Sequence, residues 1–141
     1  MLKVLRAGKR FQGANEEFLK AHEHYRHGRH KEALVEALKS FESVMKAICD
    51  KQKWKFSQAD TAKKLIDICL SAGLIPTYLQ TQFSSLRSLL ESGVPTVRNK
   101  LGGHGQGTTT TQVSESIVIY ALHLTATNID FLTRLEKENY G

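Results

Sequence analysis

One stripe of side chains constrains this chain more than any other feature. Leu34, Ala37, Leu38, Phe41, Val44, Met45 and Ile48 recur at steps of three and four residues. That spacing gathers them on one side of an α-helix. A half-buried strand would instead alternate at every second position, and no such run occurs in the chain. A helix over about residues 29–54 is therefore predicted to line the centre of a helical bundle.

The punctuation divides the rest into further helices. "ANEEFLKAHEHYR" places Phe18, Ala21 or His22, and Tyr25 on one side of a helix over 14–26, closed by Gly28. After "SQAD", where Ser57 or Asp60 can cap, Leu65, Ile66, Ile68, Cys69 and Ala72 make a short helix ending at Gly73. Leu79, Phe83, Leu86, Leu89 and Leu90 mark another, stopped by Ser92 and Gly93. Pro95 suits the first turn of a brief helix carrying Val97, Arg98 and Leu101. Thr109 with Gln112 offers a capping box for the last helix, which runs to about Lys137. That helix has a main stripe of Val113, Ile117, Tyr120, Ala121, Leu124, Phe131 and Leu135, and a second of Val118, Leu122, Ile129 and Leu132. Its second side meets either another helix of the same domain or a second copy of the chain. Asn128 lies on the main stripe, placed to pair with its symmetry mate or to satisfy one internal hydrogen bond. The expected architecture is an all-α bundle of four to five helices.

A bundle of this kind needs a core, and 40% hydrophobic residues over 141 supply one. The net charge of +6 permits a polyanionic partner without requiring it. Lys3, Arg6, Lys9 and Arg10 concentrate positive charge at the start, so residues 1–13 read as a basic linker or arm ahead of a domain over 14–141. Cys49 and Cys69 stand singly at helical positions, with neither the spacing of a zinc site nor that of a disulfide scaffold. Residues 1–11 lack the apolar core of a signal peptide, and "IVIYALHLTATNIDFL" is too short and polar to span a bilayer. A cytoplasmic, soluble protein without membrane contact is expected.

The oddest stretch is "VRNKLGGHGQG", residues 97–107. Arg98 brings a planar, always-charged fork that takes phosphate oxygens two at a time. His104, separated from Arg98 by five residues, can remove and return a proton near neutral pH. Asn99 can orient the imidazole or hold a phosphate oxygen. Gly102, Gly103, Gly105 and Gly107 let backbone approach a ligand closely. Together these are the parts for cleaving RNA without a metal, and equally those of a flexible connection with one Arg and one His nearby. The stretch is no P-loop, since no strand precedes it and no Lys-Ser/Thr closes it. Nor is it a dinucleotide fingerprint, because nothing here makes a βαβ unit.

These residues carry a resemblance. "RNKLGGHG" resembles the arginine, polar residue, spacer, histidine motif of HEPN domains. More narrowly, "EALKSFESVMKAIC" at 36–49, "GLIP" at 73–76, "GVPTVRNKLGGHGQG" at 93–107 and the closing "ESIVIYALHLTATNIDFL" are similar to the C-terminal domain of bacterial abortive-infection proteins. The resemblance implies a bundle that dimerises around the motif. It also implies metal-independent endoribonuclease activity, as the effector of a phage-defence or toxin–antitoxin system. By position, Arg98, Asn99 and His104 would be catalytic. Glu42 and Lys46 match the family's Glu-x3-Lys, with Glu42 placed to hold Arg98 or His104, or else to form an ordinary surface pair with Lys46. No cofactor and no metal are implied. Partners would be RNA, a second copy, and an antitoxin or regulatory domain. Some HEPN toxins are regulated through a tyrosine two residues after the histidine, where this chain has Gln106. The alternative is a non-catalytic dimerisation, RNA-binding or nucleotide-binding module of a larger defence protein.

Two further clusters are weighed on their chemistry. His22, His24, His27 and His30 crowd one stretch, but Gly28 interrupts their helical face and no carboxylate or cysteine completes a metal set; surface histidines are expected. "KQKWKF", residues 51–56, interleaves bases with aromatics as single-strand binders do. The same pattern arises where Trp54 and Phe56 cap a bundle end while the lysines face water.

Overall fold

A computed structural model of the chain describes residues 8–92 and 113–141. Among these residues there are five α-helices and no strand: α1 (Gln12–Arg26), α2 (His30–Gln52), α3 (Ala62–Ser71), α4 (Gln80–Ser92) and α5 (Glu115–Tyr140). The predicted stripe on α2 is the core of the bundle. Leu34, Ala37, Phe41, Val44, Met45 and Ile48 are fully buried, and α2 touches each of the other four described helices. Phe41 of α2, Phe83 of α4 and Phe131 of α5 form a run of near-parallel rings at 6.4 and 6.3 Å, tying three helices together.

α1 packs antiparallel on α2. Ser40 Oγ donates to Ala14 O at 2.7 Å, and Ser43 Oγ donates to the Glu17 carboxylate at 2.6 Å. The turn between them uses Gly28 at φ +74°, where a Cβ would be strained. That turn lets Arg29 N–H donate back to His24 O at 2.8 Å. α3 ends on Gly73 at φ +84° in the same manner. α2 ends differently from the expectation: it stops at Gln52, and Lys53, not a glycine, takes the left-handed conformation at φ 64°. This closes the helix through a Trp54 N–H bond to Cys49 O at 2.9 Å.

Three expectations need correction. Ser57 and Asp60 do not cap α3. They bond within their own turn, where Ser57 N–H donates to Asp60 Oδ2 at 2.8 Å, and Thr61 occupies the cap position without a side-chain bond. The cysteines are not solitary, because Cys49 of α2 and Cys69 of α3 are buried, free thiols that meet in the core. Contact with Cys49 and burial push the Cys69 thiol well above the ordinary range. On α5 the second stripe is the more deeply buried, and the main stripe is split, with Val113 and Ala121 buried. Val118, Leu122, Ile129 and Leu132 are fully buried, while Ile117 and Tyr120 of the supposed main stripe are 45% and 57% exposed.

Within the stretch 1–13 expected to be a basic arm, Lys9–Phe11 forms a turn of 3-10 helix running directly into α1, and Phe11 is buried. Arg10 reaches across to Glu136 near the end of α5, with Nη1 donating to Oε2 at 3.0 Å. Asn128 is half-buried and donates to Leu124 O at 2.8 Å, the internal bond of the two options. Trp54 and Phe56 pack on the core as end caps, with Lys51, Lys53 and Lys55 exposed.

Candidate functional site

The glycines and catalytic candidates Arg98, Asn99, Gly102, Gly103, His104 and Gly105 lie outside the described residues. So do the brief helix expected at Pro95 and the capping box of Thr109 and Gln112. What the structure supplies is the frame from which that segment departs and to which it returns.

The departure is the end of α4. There Arg87 Nη1 donates to Glu91 Oε1 at 2.8 Å, one helical turn apart. Glu91 and Glu17 of α1 both lie near enough to Glu42 of α2 to act on its charge. Glu42 is half-buried, and Ala62 N–H, at the start of α3, donates to its Oε2 at 2.9 Å. A carboxylate from a neighbouring helix thus satisfies a first-turn N–H that the local sequence leaves uncapped. Burial raises the Glu42 pKa above the ordinary carboxylate value. The Ala62 bond and Lys46 pull it back, and Glu91 and Glu17 push it up again. Lys46 is turned to another task, as its Nζ donates to Gln58 O at 2.7 Å. Glu42 and Lys46 therefore both hold the connection 53–61 against α2, and they form no direct ion pair. Glu42 Oε1 has no hydrogen bond among the described residues.

The return is at Val113, beside the α1–α2 turn. One ring nitrogen of His30, Nδ1, is 2.7 Å from Val113 O and donates to it. The His30 ring stacks on Tyr25 at 6.3 Å, and Tyr25 Oη donates to Glu115 at 3.1 Å. Ser114 then caps α5, its Oγ accepting from Ile117 N–H at 3.2 Å. Sequence reasoning missed His30 and Tyr25 in this role, since their partners are far away in the chain. The Ser114 cap was missed as well, in favour of Thr109, although a serine just before the apolar run is the signal that marks it.

The remaining histidines are engaged singly. His24 Nδ1 accepts from Arg29 Nε at 2.8 Å, His27 Nδ1 donates to Glu23 O at 2.8 Å, and His22 sits edge-on to Phe18 at 4.8 Å. Burial, and then Arg26, lower the His22 pKa. Among the described residues no group of three or more His, Cys, Asp or Glu is gathered for a metal ion, and no helix is long and apolar enough to cross a membrane.

A family model, Abi_C, described as a HEPN-like domain, matches residues 12–136. No curated protein and no solved structure matches the chain.

Proposed function

This chain belongs to the HEPN-like domain family, and on that footing we propose that it is a metal-independent endoribonuclease acting in phage defence or a toxin–antitoxin system. The observation carrying this reading is that the family match spans residues 12–136, with Arg98, Asn99 and His104 at the motif's spacing inside it. In the proposed reaction His104 takes the proton of a ribose 2′-OH. The oxygen attacks the adjacent phosphorus, the P–O5′ bond breaks, and the 5′-oxygen leaves with a proton returned by an imidazolium. Arg98 holds the non-bridging oxygens and offsets the charge gathering on the pentacovalent phosphorus. Asn99 orients the pair. The products are a 2′,3′-cyclic phosphate and a 5′-hydroxyl.

Glu42 supports this reading as a positioning residue. Its Oε1 takes no hydrogen bond among the described residues, and Glu17 and Glu91 lie near enough to act on its charge. Arg98 lies six residues past Ser92, within about 20 Å of chain reach. Two copies of the chain would complete the site, with RNA as substrate and an antitoxin or regulatory domain as the restraining partner.

Purified protein incubated with RNA in EDTA tests the proposal. Wild type should yield cyclic-phosphate ends, and His104→Ala should lower the rate by about 10²–10⁴. Equal degradation by both proteins, or by neither, removes the enzyme. RNA binding that survives His104→Ala and weakens on Arg98→Ala, without cleavage at any pH, would mark a non-catalytic binding module instead.

A further inference from the structure

We infer that the end of the bundle formed by the last turns of α2 and α5 is a docking surface for single-stranded RNA, built from residues other than those of the Arg98/His104 motif. The inference rests on RNA being the substrate, and it starts from a cavity of about 270 Å³. Arg10, Phe11, Lys51, Gln52, Lys137 and Tyr140 are among its lining. Its one buried acid is already occupied: Glu136 accepts from Arg10 Nη1 at 3.0 Å and from Gln52 Nε2 at 3.0 Å. The lysines there are left with uncommitted charge. Lys51, Lys53, Lys55 and Lys137 are all exposed and form no ion pair among the described residues. Asp50, Asp60, Asp67 and Glu138 are the nearby acids, fewer than the cations Lys51, Lys53, Lys55, Lys137 and Lys64 of α3.

Lysines in the last turn of a helix also offset its dipole, which accounts for Lys51 and Lys137. It does not account for Lys53 and Lys55, which lie beyond α2. Nor does it account for the rings among them. Tyr140 is 44% exposed and meets Trp54 edge-on at 5.7 Å, so one aromatic face stands at the cavity rim, backed by a second ring. Cations to follow a phosphate backbone beside a ring for a base to stack on is the arrangement of single-strand binders. A membrane surface would call for aliphatic side chains at this end, whereas the exposed Leu19, Val35 and Ile117 lie elsewhere. Gln52 is 22 residues from His30, where the chain returns at Val113, or about 33 Å along α2. RNA held here would therefore be gripped well away from that return point.

The test is fluorescence anisotropy with a labelled 12-nucleotide oligouridylate, in a His104→Ala background so that the probe stays intact. Lys51→Gln/Lys55→Gln/Lys137→Gln should weaken binding at least tenfold and lower the salt slope by about 2, at roughly 0.7 per phosphate contact. Tyr140→Ala should weaken it about fivefold or more with the slope unchanged. Lys20→Gln/Lys39→Gln, on exposed positions elsewhere, should leave binding within twofold. Triple-variant affinity within twofold of its parent overturns the inference, as does a loss seen for phosphatidylserine vesicles but not for RNA. Cleavage by the otherwise wild-type chain is scored in parallel. Cleavage with unaltered binding in the lysine variant sinks the surface and keeps the nuclease. Lysine-dependent binding without cleavage does the reverse.

Discussion

The inner face of α2 and the outer side of the first turns of α5 both carry large apolar side chains, yet the bundle treats them oppositely. On α2, Leu34, Phe41, Met45 and Ile48 are fully buried, because the helix is enclosed by all four others. On α5, Ile117 and Tyr120 remain about half exposed while the opposite stripe enters the core. Periodicity tells which residues share a face. It does not tell whether the chain has anything to put against that face.

The largest test of this contrast is Phe41→Ala. Phe41 joins three helices through its stack with Phe83, itself stacked on Phe131. Its truncation should cost about 3–5 kcal/mol in urea unfolding. A loss below about 1 kcal/mol would mean that α2 is not the enclosed element described above.

A middle-sized effect is expected at Glu42, on the margin of the same stripe. Glu42→Ala leaves Ala62 N–H without its partner and should cost about 1–2 kcal/mol. Glu42→Gln keeps an acceptor and should cost less. The pH dependence separates charge from hydrogen bonding. Because the folded pKa is raised, the Glu42 contribution is most favourable below the ordinary carboxylate value near 4.5 and is lost as pH rises through the folded value. Glu42→Gln should lack that component of the unfolding profile. Identical profiles for Gln and wild type would show that the buried carboxylate is not strained by its surroundings.

These two residues also show what was legible beforehand. Phe41 could be placed in the core because helical spacing is a local property of sequence. Glu42 was recognisable as a family position, but its bond to the start of α3 was not, since Ala62 is brought to it only by the path of residues 53–61. Likewise Lys53 carries no sign of a left-handed turn, and Arg10, Gln52 and Glu136 meet only once both ends of the chain converge. Glycine-closed ends at Gly28 and Gly73 were readable because only the residue's own backbone decides them. The Arg98/His104 segment was legible as chemistry, and its placement lies outside the described residues.

The smallest effect on stability, and the one that sharpens the contrast most, is expected on the outer face of α5. Ile117→Ser/Tyr120→Ser removes apolar surface that touches solvent, so the unfolding free energy of dilute protein should move by only about 0.5 kcal/mol. If two copies pair as proposed, the same variant should sediment as a smaller species than wild type at matched concentration, because an exposed apolar face gains most when a second copy removes it from water. A large loss of stability in the monomer would instead show that residues 93–112 cover this face within one chain. Unchanged sedimentation together with unchanged stability would leave Ile117 and Tyr120 as ordinary exposed side chains and move the proposed pairing surface elsewhere. The face on α5 is thus decided by what lies against it, which is the quantity that periodicity alone does not carry.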